Sequence, residues 1–139
     1  MSGARAAVLF GGALAFAAIG VWATLDPVGA LAQVGVVPVD ARGWVELRAM
    51  YGGLELGAAV FLALCAARPA WHAPGLVASA CLIGGLGVAR VGWLAVHRPP
   101  GALLYVFAAF ELTNGVACLA LLRPAQVRTG PPTGQSTGL

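Results

Sequence analysis

Charged side chains are scarce in this 139-residue chain, of which only 9% is Asp, Glu, Lys or Arg, against about 25% in ordinary soluble domains. Lysine is absent, so that all 8 basic residues are arginines. Hydrophobic residues make up 60%, and the mean hydropathy is +0.87. A small soluble domain needs more polar surface, and a disordered chain needs low hydrophobicity. The composition excludes both classes and predicts an integral membrane protein.

The usual motifs of catalytic and metal sites are missing as well. The two histidines, His72 and His97, have no cysteine or carboxylate at ligand spacing, and a metal site needs several such groups together. Cys65, Cys81 and Cys118 stand in three different apolar stretches and form no C-x-x-C pair, so we expect no redox pair. We expect neither a metal nor a cofactor, and the sequence identifies no catalytic residue.

The arginines are scattered along the chain. A net charge of +3 and a pI near 9.1 would suit a nucleic-acid-binding protein, but the arginines form no run or stripe, so no nucleic-acid partner is expected. Six of them lie near the ends of the apolar stretches. One side of the membrane would hold Arg5, Arg68, Arg123 and Arg128, and the other Arg42 and Arg98. Because arginines collect on the cytoplasmic side, both termini are predicted to be cytoplasmic.

Four apolar stretches are each long enough to cross a bilayer as a helix. The predicted fold is therefore all-α, a four-transmembrane-helix bundle, with helices over residues 6–25, 44–67, 74–96 and 102–122. These helices form a single domain over residues 1–128, and the Gly-, Pro- and Thr-rich tail, residues 129–139, is predicted to be disordered and cytoplasmic. A signal peptide is the alternative for the first stretch, which is however longer than a typical signal sequence core.

Ionisable residues inside the predicted spans are the main functional signal. A charge at the bilayer centre costs about 2.5–3.5 kcal/mol on insertion scales, so such residues face the bundle interior and find partners. The helical rise puts Arg48 and Arg90 at one level toward the outer side, and Glu55 and Glu111 near the midplane. The predicted ligand-binding patch consists of Arg48, Tyr51, Glu55, Arg90, Glu111 and Asn114.

Two interpretations of this patch stay open. In the first, Arg48 and Arg90 neutralise Glu55 and Glu111, and the network only fixes the register of the helices. In the second, the patch is a ligand or proton site, because ionisable residues inside a membrane are functional candidates by default.

Glycines within the predicted helices indicate close helix contacts. Gly53 and Gly57 form a small-xxx-small pair, which lets another helix approach closely. Further glycines lie just below Arg90 and next to Asn114. The predicted helix-packing residues are Gly52, Gly53, Gly57, Gly84, Gly87 and Gly115.

The second predicted helix contains a distinctive run, which reads ELRAMYGGLELG from Glu46 to Gly57. This run resembles the motif of the bacterial domain-of-unknown-function 4345 family, whose members are small four-helix membrane proteins. Similar elements of the family pattern stand at Asp26-Pro27, Ala89-Arg90 and Glu111. The resemblance covers about residues 6–122 and implies the same architecture, in the inner membrane of a bacterium. The family has no established activity, so the resemblance implies no substrate.

Three functions are compatible with these features. The leading hypothesis is a binding or carrier protein for a quinone, lipid or isoprenoid, because a polar patch within an apolar bundle is the usual form of a ligand pocket. The second is a small membrane enzyme that uses Glu55 or Glu111 as its general acid or base. The third is an accessory or structural subunit of a larger membrane complex, or a homo-oligomer, in which glycines pack against a partner. The lipid bilayer is the partner common to all three.

Overall fold

A computed structural model describes residues 2–122 of the protein, and all regular structure in this range is helical. Four helices are long and apolar enough to span a membrane, which confirms the predicted all-α bundle of four transmembrane helices. A short helix lies between the first two. The helices are α1 (Ser2–Leu25), α2 (Pro27–Leu31), α3 (Ala41–Ala67), α4 (Pro69–His97) and α5 (Leu103–Leu122). The predicted tail, residues 129–139, lies outside the described residues.

The chain turns back after α1. Helices usually end before the residue that precedes a proline, and α1 accordingly ends at Leu25, while Pro27 is the first residue of α2. The Asp26 carboxylate caps α2 and accepts a hydrogen bond from the Gly29 backbone N–H at 2.9 Å. Because α2 packs on α1 and on the first half of α3, the apolar connection between the spans lies against the bundle.

The α3 helix begins at Ala41, three residues before the predicted start. Its N-cap is Asp40, whose carboxylate accepts a hydrogen bond from the Gly43 backbone N–H at 3.0 Å. The same carboxylate forms an exposed ion pair with Arg42 at 2.9 Å. The Gly43 hydrogen bond, followed by that from Arg42, lowers the pKa of Asp40 below its usual value. An ionised cap of this kind also interacts favourably with the positive end of the helix dipole.

Two of the spans contain a π-helical segment, Arg48–Leu54 in α3 and Ala80–Gly84 in α4. Such segments are rare, interrupt the regular α-helical register and often lie at functional sites. The sequence pattern did not predict them, because hydrophobic periodicity does not distinguish a single π-helical turn from an α-helical one. The first segment contains Arg48 and Tyr51 of the predicted ligand-binding patch.

The α4 helix starts earlier than expected. The sequence placed its first turn near Pro74, but the helix begins with a 3-10 turn over Pro69–Trp71, and proline is well tolerated in such a first turn. At the other end, Arg98 closes α4 in the left-handed conformation, with φ of 44°. Gly101, with φ of 93°, completes the tight turn into α5.

The bundle has two differently packed halves. We call the half in which α1 ends and α3 begins the Asp40 half, and the opposite one the Arg68 half. In the Arg68 half, α1 contacts the other three spans around an apolar core. The buried residues of this core are Leu9, Ala13, Phe16, Ala59, Leu62, Cys65, Leu76, Ile83 and Cys118.

The Asp40 half is more open, because its helices separate into two pairs. The Arg48–Leu54 segment of α3 packs on α1 and α2, while the Gly85–His97 segment of α4 packs on α5. Backbone contacts between the two pairs are few in this half of the described chain. Glu55 of the first pair faces the Arg90–Glu111 ion pair of the second across this division.

Three of the predicted packing glycines hold α4 against α5. A Cβ atom added at Gly115 would lie 2.9 Å from the Gly84 Cα, so the two backbones touch at this crossing. A Cβ added at Gly87 would lie 2.9 Å from the Glu111 Cβ and 3.0 Å from the Leu112 backbone nitrogen. Side chains larger than hydrogen would therefore push the two helices apart.

The remaining predicted packing glycines lie on α3 and divide into two kinds. Gly52 contacts α1, where an added Cβ would meet the Thr24 hydroxyl, and Gly20 of α1 meets α3 in the same interface. Gly53 and Gly57 are exposed. Within the described residues, an added Cβ at Gly57 would have no neighbour within 4 Å, and one at Gly53 would meet only its own helix.

Candidate functional site

An ion pair joins α4 and α5 where the two helix pairs face each other. Arg90 donates two parallel hydrogen bonds to Glu111, from Nε to Oε2 at 2.9 Å and from Nη2 to Oε1 at 2.8 Å. The guanidinium also lies over the Phe107 ring, 5.5 Å from its centroid. Bidentate pairs of this kind are strong and directional. The two parallel hydrogen bonds fix the relative orientation of the two side chains, so Arg90 and Glu111 hold each other in place.

Glu55 faces this ion pair from α3 and has no such partner. Its Cβ lies next to Gly20 of α1, where a bulkier residue would clash, so the α1–α3 contact determines where the side chain starts. Its Oε2 atom is buried and has no hydrogen-bond partner among the described residues. The carboxylates of Glu55 and Glu111 are close enough to interact electrostatically. Buried polar atoms are nearly always hydrogen-bonded, so this oxygen is an exception that needs an explanation.

Tyr51 lies on the same side of α3, one turn closer to the Asp40 end. Its ring is partly exposed, and its hydroxyl is close enough to Arg90 to interact electrostatically. We refer to Tyr51, Glu55, Arg90 and Glu111 as the polar seam. The structure thus brings together four of the six residues of the predicted patch, from three different helices.

Arg48 lies apart from the polar seam. It is exposed, its Nε donates a hydrogen bond of 3.4 Å to the backbone oxygen of Thr24, and its guanidinium lies 5.3 Å from the centroid of the Trp44 ring. The suggestion that the two arginines neutralise both glutamates is therefore correct only for Arg90 and Glu111. Arg48 is drawn to the end of α1, because a free backbone oxygen and an aromatic face are available there.

Asn114 is buried in the Arg68 half, one turn beyond Glu111 on α5. Its Oδ1 accepts a hydrogen bond from the Ser79 hydroxyl at 3.0 Å and a weaker one from the Cys118 thiol at 3.5 Å. This group joins α4 to α5 below the polar seam. Ser79 is completely buried and did not stand out in the sequence, where one serine within an apolar stretch is unremarkable.

A small pocket opens beside the polar seam toward the Asp40 end. It has a volume of about 220 Å³, and Arg90 and His97 form its polar part. The rest of its lining is mostly apolar and includes Trp93, Leu94 and Leu104. We call it the Arg90 pocket. An apolar pocket with a few fixed polar groups is the usual form of a small-molecule site.

Sequence reasoning also missed two residues that support the site. Phe107 lies under the Arg90 guanidinium, and its position four residues before Glu111 would have placed both on one face of α5. Gly20 allows α1 to approach Glu55, and the small residues around it on α1 were the available signal. Among residues 2–122, no three metal-ligating side chains come together.

The comparisons with known proteins identify the family but no activity. The model of the family described as Domain of unknown function (DUF4345) matches residues 4–122, and the chain belongs to this family. No curated protein and no solved structure matches the chain. Together with the four spans, this describes an integral membrane protein whose activity is not established.

Proposed function

We propose that this member of the DUF4345 family binds a lipophilic small molecule, with the polar group of the ligand at the polar seam and its apolar part in the Arg90 pocket. The observation that supports this most is the unpartnered Glu55 Oε2, a buried oxygen next to an ion pair that is already complete. A buried acceptor without a partner costs free energy. A ligand that forms a hydrogen bond with Glu55 would recover that cost.

The lining of the site suggests the chemistry of the ligand. Glu55 accepts a hydrogen bond when ionised and donates one when protonated, which suits a hydroxyl or a carbonyl group. Trp93 and Leu104 provide an apolar surface for a ring or a chain. A quinone, an isoprenoid alcohol or another lipid with a small polar end combines these properties, and each of them would enter from the bilayer.

Fluorescence titration of the full-length protein in mild detergent tests this proposal. A short-chain quinone is expected to quench the fluorescence in a saturable way, and Trp93→Phe should remove most of the saturable part. A quinone carbonyl accepts a hydrogen bond from the protonated Glu55 carboxyl, so Glu55→Leu, which removes the donor, should weaken binding about tenfold. Glu46→Leu is the matched control, because Glu46 is an exposed carboxylate on the same helix.

The probes also separate the ligand classes. If farnesol displaces the quinone, the natural ligand is more similar to an isoprenoid. If the quinone quenches and farnesol does not displace it, the natural ligand is more similar to a quinone. The proposal is wrong if neither probe binds saturably and if organic extraction of the purified protein recovers no small molecule. It is equally wrong if Glu46→Leu weakens binding as much as Glu55→Leu.

The second candidate is an enzyme that acts on the same ligand, and the environment of the glutamates favours one of them. Glu111 is held by Arg90, whereas Glu55 is free to exchange a proton, so Glu55 would be the general acid or base. In that case Glu55→Gln would retain ligand but lose turnover. Retained turnover in this variant would exclude the role.

The exposed Gly53 and Gly57 face of α3 supports the third candidate, a subunit that packs against a second copy or another membrane protein. Small residues allow close helix approach within membranes, and this face has no neighbour among the described residues. Cross-linking of the Gly53→Cys variant in membranes should then give a dimer or a larger adduct. Intramolecular products alone would contradict it.

We also propose an orientation, with the Arg68 half toward the cytoplasm and both termini inside a bacterial inner membrane. Arg5 and Arg68 lie at this end, and Arg123 and Arg128 follow α5 in the sequence, as the positive-inside rule requires. A C-terminal fusion to green fluorescent protein should fluoresce, and one to periplasmic alkaline phosphatase should be inactive. The reverse result would overturn the orientation.

A further inference from the structure

A larger groove runs between α4 and α5 in the Asp40 half. Its volume is about 550 Å³. Its walls are apolar, with Val91 and Ala95 from α4 and Ala109 and Leu112 from α5. The only polar residues in its lining are Arg98 and Tyr105, which both lie at the Asp40 end. The groove therefore has an apolar length and one polar, cationic mouth.

The shape of the groove follows from the packing of the two helices. Gly84 meets Gly115 near the middle of the bundle, and Gly87 contacts Leu112 one turn closer to the Asp40 end. The groove lies between these contacts and the turn that joins α4 to α5. Above this crossing, the alanines at positions 95, 108 and 109 leave the space between the helices unfilled.

The groove is separate from the polar seam. On α5, Tyr105, Ala109 and Leu112 share one face, whereas Phe107 and Glu111 lie on the opposite one, as the helical period requires. Leu94, whose side chain borders both spaces, separates the groove from the Arg90 pocket. Since Ala95 and Ala109 are exposed, the groove opens on the outer surface of the bundle, where the bilayer lies.

The mouth of the groove contains an unneutralised cation. Arg98 is exposed, and its Nε donates a hydrogen bond of 3.4 Å to the backbone oxygen of Ala95. Within residues 2–122 it pairs with no carboxylate, unlike Arg42 at the same end of the bundle. The Tyr105 hydroxyl donates a hydrogen bond to the backbone oxygen of Pro99 at 3.5 Å.

We propose that this groove binds a phospholipid of the membrane, with one acyl chain along the apolar walls and the phosphodiester at Arg98. Arg98 directly follows α4, at the depth at which headgroups meet the hydrocarbon core. Guanidinium groups bind phosphate oxygens through paired, charge-assisted hydrogen bonds. An apolar chain covers the exposed alanines, and the phosphate balances the charge of Arg98, so a single lipid satisfies both parts of the groove.

Native mass spectrometry of the full-length protein tests this proposal with three probes of matched acyl chains. The wild type should retain one molecule of phosphatidylglycerol or phosphatidylcholine, because both contain a phosphodiester. It should retain diacylglycerol, which lacks the phosphate, about tenfold less, as expected for the loss of a hydrogen bond to a charged group. Inorganic phosphate should not displace the lipid.

Two variants and their controls distinguish a specific groove from general lipid adhesion. Arg98→Gln should lower phospholipid retention to the level of diacylglycerol, whereas Arg42→Gln, at the same end of the bundle, should not. Position 98 has a left-handed backbone conformation, with φ of 44°. Glutamine has about the same conformational cost there as arginine. Ala109→Leu should fill the groove and displace the chain, whereas Ala120→Leu, at an exposed position elsewhere on α5, should leave retention unchanged.

Several results would overturn the proposal. It is wrong if diacylglycerol binds as well as the phospholipids, or if Arg98→Gln and Arg42→Gln behave alike. Displacement by inorganic phosphate would indicate an anion site instead of a lipid groove. Circular dichroism on each variant checks that the helices are intact, and Ala109→Leu provides the decisive comparison if Arg98→Gln does not fold. None of these results depends on ligand binding at Glu55.

Discussion

The two glutamates at the centre of the bundle have the same chemistry and nearly the same depth, but different surroundings. Glu111 faces a guanidinium that satisfies both of its oxygens. Glu55 comes from the other helix pair. Arg48, the nearer arginine on the same helix, turns toward Thr24 and Trp44. One carboxylate is therefore fixed as part of the structure, and the other remains available to a ligand or a proton.

Replacement of Arg90 by methionine should destabilise the protein, because it leaves the Glu111 carboxylate buried without its partner. Removal of one partner of a fully buried pair costs about 3–5 kcal/mol. The Arg90 side chain is 27% exposed, so we expect a smaller loss, about 2 kcal/mol. Unfolding in mixed detergent micelles, followed by circular dichroism, measures the change in the free energy of unfolding.

A double-mutant cycle and an exposed pair provide the controls. Arg90→Met combined with Glu111→Leu should recover most of the lost stability, because an apolar pair can replace a buried ion pair. Arg42→Met removes an ion pair whose side chains are 92% and 42% exposed, and it should change stability by less than about 1 kcal/mol. Additive effects of the two seam substitutions would show that Arg90 and Glu111 do not act as a pair.

The depth of these residues could be predicted from the sequence, but their pairing could not. Helical rise and the length of the spans placed Glu55 and Glu111 near one level, and the cost of buried charge indicated that they face inward. Which arginine meets which glutamate depends on how the helices are arranged around the bundle axis. Neighbouring groups such as the Thr24 backbone oxygen also compete for the arginines. Hydrophobic periodicity indicates neither the arrangement of the helices nor this competition.

At the level of whole helices, close packing depends on where glycines meet a neighbour. Gly115 and Gly84 meet backbone to backbone, while Gly57 faces away from the rest of the described chain. All three have the same appearance in the sequence, as glycines within an apolar helix. Only the arrangement of the helices separates a contact glycine from an exposed one.

Alanine substitutions at these positions should therefore have opposite effects. Gly115→Ala places a methyl group 2.9 Å from the Gly84 Cα, which we expect to cost about 1–3 kcal/mol, as for other overpacked sites. Gly84→Ala should cost less, because its methyl group would lie 3.3 Å from the Gly115 Cα. Gly57→Ala meets nothing and should stabilise α3 by about 0.5–1 kcal/mol, the ordinary gain of alanine over glycine in a helix.

Thermal unfolding in one detergent gives the order of these three variants. A loss of stability in Gly57→Ala as large as that in Gly115→Ala would contradict the assignment of Gly57 to an exposed face. It would instead support a partner on that face, which makes the comparison useful for the third candidate function as well.

The helices could be predicted far better than their internal irregularities. Apolar length and the absence of charge indicated all four spans, and Asp40 as an N-cap indicated the start of α3. The π-helical segment Arg48–Leu54 could not be predicted, because its glycines, Gly52 and Gly53, are also common in regular transmembrane helices. The early start of α4 at Pro69 was missed because Pro74 is an equally suitable first-turn residue.

At the level of the whole molecule, the Arg68 half is closed by an apolar core and the Asp40 half is divided into two helix pairs. The polar seam, the Arg90 pocket and the groove between α4 and α5 all border the divided half. Regions with few packed contacts open more easily than a well-packed core. The Asp40 half is therefore expected to open more readily than the Arg68 half.

Hydrogen exchange of the full-length protein in lipid nanodiscs should reveal this difference within one helix. Backbone amides of Arg48–Leu54 should exchange faster than those of residues 59–65, although both lie in α3. The first segment has irregular π-helical bonds and borders the polar seam, whereas Ala59, Leu62 and Cys65 belong to the core. A bound ligand should slow the first segment and leave the second unchanged. Equal rates in both segments would show instead that the Asp40 half is packed as firmly as the core, and that it has no intrinsic capacity to open.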